Sequence, residues 1–250
     1  MASTTQSQEF AGGAGIYTFT PAANVSTVLV TMIAGGGGGA GLRGDTNAAG
    51  RGGGGSGEYC LRQPVEVTPG VGVTVVIGAG GAGGIGNNPG NPGCDGSPGT
   101  ASSFGNYIVC NPGLGAPATT STILGGSGGG VGGTIAIGGT TNQPAPRYEY
   151  MWYTGGGAGA RTTGSTAFLP SPAINFPGLA PVTGLRPSGD GAPSPWGVGG
   201  RGVPVSANGG NAAGTSYGAG GAGAGGTGTA TPVFNGGNGA DGYCLVEWVA

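Results

Sequence analysis

Arg147, Tyr148, Tyr150, Trp152 and Tyr153 form the densest patch of chemically capable side chains in the chain, and Trp196 lies downstream among prolines. Tyr and Trp offer a flat apolar face with a polar edge, and with an arginine nearby they are the residue types that stack on sugars or anchor protein interfaces. Two readings stand side by side: an exposed recognition surface, or a hydrophobic plug closing a small subcore. The carboxylates offer less. Asp45, Asp95, Asp190 and Asp241 are scattered singly among glycines. Asp-Gly at 95–96, 190–191 and 241–242 is turn chemistry first and calcium ligation second. Nine acidic residues spread this thinly nominate no acid–base pair. Arg43-Gly44-Asp45 matches an adhesion tripeptide, but in so glycine-rich a stretch coincidence is the simpler account.

The four cysteines, Cys60, Cys94, Cys110 and Cys244, contain no C-x-x-C pair. Without histidine a zinc site would need all four thiolates in one shell. Cys60 and Cys244 sit in strand-like runs and read as small buried apolar side chains. Cys94 and Cys110 flank a glycine-rich excursion, where both a disulfide and free thiols stay open.

The wider composition excludes whole classes of chemistry. The chain has no His, and its seven basic residues are all Arg. Ser-His-Asp and Cys-His nucleophiles, His-ligated metals, Walker-type phosphate loops and Schiff-base lysines are therefore excluded. Repeated matches to G-x-G-x-x-G carry no weight at this glycine content. The expectation is a non-enzymatic protein with no cofactor. Seven scattered arginines make no phosphate-binding patch, so no nucleic-acid partner is expected. The longest apolar run, Val28 to Ala34, is far short of the roughly 18 residues a membrane span needs, so none is expected. MASTTQSQEF lacks the charged and apolar regions of a signal peptide.

The elements that must position these residues are strands and glycine. Of 250 residues, 67 are Gly and 19 Pro, which rules out extensive helix. Ile16–Thr20 and Val25–Ala34 read as one pair of strands around a turn at Pro21–Asn24. Val28, Val30 and Met32 take the dry face of the second. Glu58–Val67 and Val71–Ile77 read as a second pair around Thr68-Pro69-Gly70, with Pro64 marking an edge or a bulge. Thr100–Cys110 is a weaker strand, and Tyr243–Val249 is the last. The strands near the two termini are expected to pair in one sheet. Residues 1–110 with 235–250 are thus expected to form an all-β sandwich with glycine-rich loops, and 111–234 a glycine/proline-rich insertion carrying the aromatic region.

Gly90, Gly93, Gly96 and Gly99 recur every third residue, the period of a polyglycine II helix. Such a helix makes no internal hydrogen bonds, so its N–H and C=O groups must be met by neighbours or water. Only Gly lets backbones approach closely enough to bond directly. A bundle of these helices is one way to order such a sequence. Fixing a backbone costs about 1–2 kcal/mol per residue, and apolar residues are few here. Interchain or intersegment hydrogen bonding must therefore carry much of the stability, and a homo-oligomer is expected.

An ordered set of motifs adds a resemblance: Tyr17-Thr18-Phe19-Thr20-Pro21-Ala22, Val28 to Gly39, Gly52 to Tyr59, Val67-Thr68-Pro69-Gly70, Val75 to Gly81, Thr100 to Gly105 and Gly239 to Tyr243. In this order they resemble the glycine-rich domain of bacteriophage tail fibre and tail tip proteins, over about 15–110 and 235–249. The resemblance implies a virion protein assembled in the host cytoplasm, with other virion proteins and a host-surface receptor (protein or glycan) as partners. Arg147, Tyr148, Tyr150, Trp152, Tyr153 and Trp196 are then the candidates for receptor or partner contact. The alternative is a structural head or tail component docking on neighbouring subunits.

Overall fold

The computed structural model describes residues 4–42, 51–86, 95–118, 151–152, 188–203, 207–225 and 233–249. Its strands are β1 (Thr5–Phe10), β2 (Gly15–Phe19), β3 (Thr27–Ile33), β4 (Tyr59–Glu66), β5 (Val73–Ile77), β6 (Ser102–Phe104), β7 (Ile108–Cys110), β8 (Met151–Trp152) and β9 (Tyr243–Val249). They form two antiparallel sheets, ordered β1-β9-β3-β4-β8 and β2-β5-β6-β7. No helix among the described residues is long and apolar enough to cross a membrane.

Alternation along each strand makes the sandwich. Val28, Val30 and Met32 of β3, Val73, Val75 and Ile77 of β5, and Phe19 and Phe104 all point into one core. Phe19 meets Phe104 from its own sheet and Trp248 from the other, with ring centroids 5.9 and 5.4 Å apart. The terminal strands do share a sheet: β9 pairs with both β1 and β3. Pro64 lies on β4 beyond the two residues paired by β8, so its missing N–H faces an open edge. The expected bulge is beside it, where the β3–β4 register shifts between Val30 and Met32. There Arg62 takes φ 49° and its N–H donates to Thr31 Oγ1.

The two expected strand pairs are corrected. β2 pairs with β5, not β3, and β4 pairs with β3, not β5. Folding each pair as a hairpin would set both apolar faces on the same side, with nothing to cover them. Crossing between sheets brings the faces together. The two crossing loops are tied where Gly70 N–H donates to Pro21 C=O, 2.9 Å.

Beyond the sandwich the glycine stretches form a bundle of ten extended segments. The segment 35–42, which continues β3, is its first hub. Gly35 and Gly38 donate to Thr100 and Ser97, Gly36 and Gly39 to Ala240 and Gly237, and Gly37 and Ala40 to Gly55 and Gly52. Each neighbour is met at every third residue, which is the signature of three residues per turn. Three parallel neighbours donate back: Gly113 and Ala116 to Gly35 and Gly38, Gly81 and Gly84 to Gly36 and Gly39, Gly221 and Ala224 to Gly37 and Ala40. The six neighbours also bond to one another in turn, closing a hexagon.

The segment 219–225 is a second hub of the same kind. It is ringed by 35–42, 51–57, 188–192, 197–203, 207–213 and 233–242. The two hexagons share four segments and together account for all ten. Segments 111–118, 188–192, 197–203, 207–213 and 219–225, inside the expected insertion, thus share one lattice with 35–42, 51–57, 78–86, 95–100 and 233–242. Glycine is required sterically: a Cβ at Gly35 or Gly38 would strike the carbonyls of Ala79 or Ala82, one at Gly36 or Gly39 those of Ala219 or Ala222, and one at Gly37 that of Leu114.

Candidate functional site

Successive segments of the bundle run alternately away from the sandwich and back toward it, which gives the bundle two unlike ends. At the far end five described segments finish (35–42, 78–86, 111–118, 197–203 and 219–225) and five begin (51–57, 95–100, 188–192, 207–213 and 233–242). A small apolar cluster closes this end, with Leu42 and Ala224 buried and Phe234 packed on them. Bridges Leu42↔Phe234 and Ala207↔Gly225 join its segments.

One side of the bundle is finished by side-chain amides and carboxylates. Asn235, Asn238 and Asp241 accept from the N–H of Gly86, Gly83 and Gly80, each at 2.8 Å. Asn208 and Asn211 in turn accept from the N–H of Asn235 and Asn238. These side chains replace the next helix of the lattice, so the outermost N–H groups stay paired. Asp190 and Asp95 do the same for Gly202 and Ala118. The described aspartates therefore act as caps on neighbouring backbone rather than as turn formers. Among the described residues no three His, Cys, Asp or Glu side chains form a metal-ligand group.

At the near end two turns fold back over the first sheet. The turn at 194–197 sets Trp196, half-buried, between Tyr59 and Tyr243, with ring centroids 6.2 and 5.5 Å away. The turn at 214–218 stacks Tyr217 on Tyr243 at 4.7 Å. Trp152 lies opposite Tyr59 in the β4–β8 pairing, so its backbone is at this same edge. Arg147, Tyr148, Tyr150 and Tyr153 lie outside the described residues, as do Arg43-Gly44-Asp45 and Cys94. The structure thus brings Trp196 together with three tyrosines that the sequence reading did not single out. The signal for Tyr243 and Tyr59 was their place at strand ends where glycine runs join β structure.

Cys60, Cys110 and Cys244 are free thiols in the core. Cys60 donates weakly to Val30 C=O and Cys110 to Met32 C=O. The hydrogen bond with Cys60, then burial, pushes the Cys110 thiol well up, while its counterpart Cys60 is lowered. Burial pushes the Cys244 thiol up, and pushes Tyr243 up to about 12 with help from the adjacent Glu9. Groups raised in the folded state stabilise it fully below their unfolded pKa and lose that contribution as pH climbs through the folded value. Cys60, being lowered, works the other way and adds stability as pH rises toward its unfolded value, so the thermal midpoint should not fall below about pH 8.5 and should then decline toward pH 12 as the raised groups take over. Calorimetry across this range checks it. Cys244→Ala should flatten the first part of the decline, and an unchanged midpoint at pH 11 would refute the account.

A family model described as a glycine-rich domain matches residues 11–249, the span that holds the whole bundle and every strand except β1. The chain belongs to the glycine-rich domain family. No curated protein matches it. In this glycine-rich domain the family's defining residue does two jobs: it builds the two hubs, and it hands the chain from sandwich to lattice. At that junction Ser102 Oγ donates to Ile33 C=O and accepts from Gly78 N–H, both at 2.9 Å.

Proposed function

We propose that this glycine-rich domain protein is a bacteriophage virion component of the tail fibre or tip class that acts in host attachment, without catalysis and without a cofactor. The observation that supports this reading is the two-ended bundle. The five described outgoing segments all finish at the end remote from the sandwich, and the five returning ones all start there. A lattice in which nearly every backbone group is bonded is a rigid mount, and binding residues are disproportionately carried on connections held by such scaffolds. In this reading the sandwich end faces other virion proteins, the far end meets a host-surface protein or glycan, and the protein works as a homo-oligomer.

The test replaces residues 87–94 or 226–232 with Gly-Ser stretches of equal length, and Tyr148, Tyr150 and Tyr153 with Ala. Purified variants are measured for thermal midpoint and for binding to cells of the phage's host. At least one of the two Gly-Ser variants should keep its midpoint and lose about tenfold or more in cell binding, a loss on the scale of one binding hot spot, whereas a loss confined to the tyrosine variant would assign attachment to the chain flanking Trp152 at the sandwich edge instead. A second reading, a structural component docking on neighbouring subunits, draws on the packing of Trp196 into the junction. It takes precedence if all variants bind cells as the parent does while particle incorporation fails.

A further inference from the structure

The two outer faces of the sandwich differ in charge. On the β1-β9-β3-β4 face stand Glu9, Arg62, Glu66 and Glu247, with Arg62 and Glu247 paired at 2.9 Å. Among the described residues the opposite face carries none. Across it runs one row set by strand register: Ile16 opposite Val76, Val76 opposite Ser103, Ser103 opposite Val109. Ile16 is 77% exposed and Val109 53%. Solvent-facing strand positions are normally where charge is placed to discourage association.

The bare face continues up the bundle. β5 runs on into 78–86, β6 is entered from 95–100, and β7 runs on into 111–118, and these three segments bond side by side. On 78–86 the outward positions are Ala79, Ala82 and Ile85, and Leu114 is exposed on 111–118. Through β2, 73–86 and 95–118 there is a single charged residue, Asp95, at the far end. Asp241, at the rim, is held by the N–H groups of Gly80 and Ala14. At the sandwich end the face holds a groove of about 540 Å³ between the turns before β5 and after β6, walled by Val71, Thr74, Ser103 and Tyr107.

We infer that this face is where a second copy of the chain docks, two-fold symmetrically. Three features select a second copy. Among its described residues the face carries only Asp95, at its far end, so meeting itself sets few like charges together, whereas the opposite face would oppose its own glutamates. Its extent, about 45 Å by 15–20 Å from strand and polyglycine rises, is close to the roughly 800 Å² per partner of a stable interface. It also carries both a knob and a hollow: an axis near Val76 and Thr74 brings Ile16 of each copy toward the groove of the other, the self-complementarity a two-fold contact needs. This docking does not depend on what the far end of the bundle binds.

Sedimentation velocity on the full chain from about 1 to about 100 μM tests it, covering the affinity range of such contacts. The parent chain is expected to sediment as a dimer across the upper part of this range. Ile16→Lys and Val109→Lys, at exposed positions, should each weaken the dimer at least about tenfold at an unchanged thermal midpoint. Leu61→Lys, on the opposite face, should leave it intact. Ile16→Ser provides a milder variant if lysine lowers the midpoint. A parent chain monomeric at the top concentration overturns the inference, as does a dimer that survives both lysines or is broken only by Leu61→Lys.

Discussion

Gly37→Ala is expected to destabilise the protein by at least about 4 kcal/mol, or to leave no soluble folded product, although it adds one methyl group. Gly37 lies in the first hub, where its Cβ would overlap the backbone carbonyl of Leu114. A side chain in that position could rotate away. The Leu114 carbonyl cannot, because it accepts the N–H of Gly55 at 2.9 Å and its segment is bonded on three sides. Relief would require moving 111–118 outward, which breaks its bonds to 35–42 and 51–57 together. Two other glycines separate this lattice effect from ordinary glycine effects. Gly214 has nothing within 4 Å of its Cβ position and no left-handed φ. Gly214→Ala should be neutral or stabilise by up to about 1 kcal/mol through the unfolded chain. Gly70 is also open but has φ 74°, so Gly70→Ala should cost about 1–2 kcal/mol from backbone strain alone. Thermal midpoints should fall in the order Gly214→Ala, Gly70→Ala, Gly37→Ala. A Gly37→Ala midpoint within a few degrees of the parent would mean the segments are not packed as a lattice.

The strands that alternate cleanly were legible in the sequence, and their partners were not. β3 announces itself by alternation, β5 by a continuous β-branched run and β9 by apolar residues on both faces. β1 does not, because in TQSQEF only Phe10 reaches the core and the rest of the strand lies exposed at a sheet edge. Ile33 reads as belonging to the mixed face of β3, yet it is fully buried: the turn at 214–218 covers it, with Gly218 pressed against its side chain. Nothing local to β3 encodes that cover, which comes from nearly two hundred residues away.

The lattice was legible only in part, for a similar reason. The triplet at Gly90 to Gly99 pointed to polyglycine II, and Gly96 and Gly99 do face the first hub. Two cleaner triplets went unread. Ala79, Ala82 and Ile85 mark the outward side of 78–86, and Asn235, Asn238 and Asp241 mark the capping side of 233–242. In a chain that is over a quarter glycine, the informative residues are the few that are not glycine, and their spacing names the lattice face they occupy. The aromatic candidates show the limit of reading residue type alone. Trp196 has the chemistry of a binding residue, but its ring is largely spent against Tyr59 and Tyr243.

Phe19→Ala should be the most damaging single change in the sandwich, at about 3–5 kcal/mol. Phe19 is 1% exposed and is the ring that spans the two sheets, touching Phe104 on one side and Trp248 on the other. The cavity it leaves cannot collapse easily, since both neighbouring rings sit on strands pinned by ladders. The effect should not stop at the sandwich. Among the described residues the bundle buries almost no large apolar side chains beyond the Leu42 cluster, so its hydrogen bonds, each worth only about 1 kcal/mol net, must offset the ordering of very many glycines. The strands set the start and angle of the segments: β3 hands directly into the first hub, and β9 receives 233–242. If the sandwich organises the lattice in this way, the parent chain melts in one calorimetric transition and Phe19→Ala moves that whole transition down by about 6–20 °C. A variant in which the sandwich melts early while a second, unshifted transition survives would show the opposite, a polyglycine bundle able to stand without the sheets that frame it.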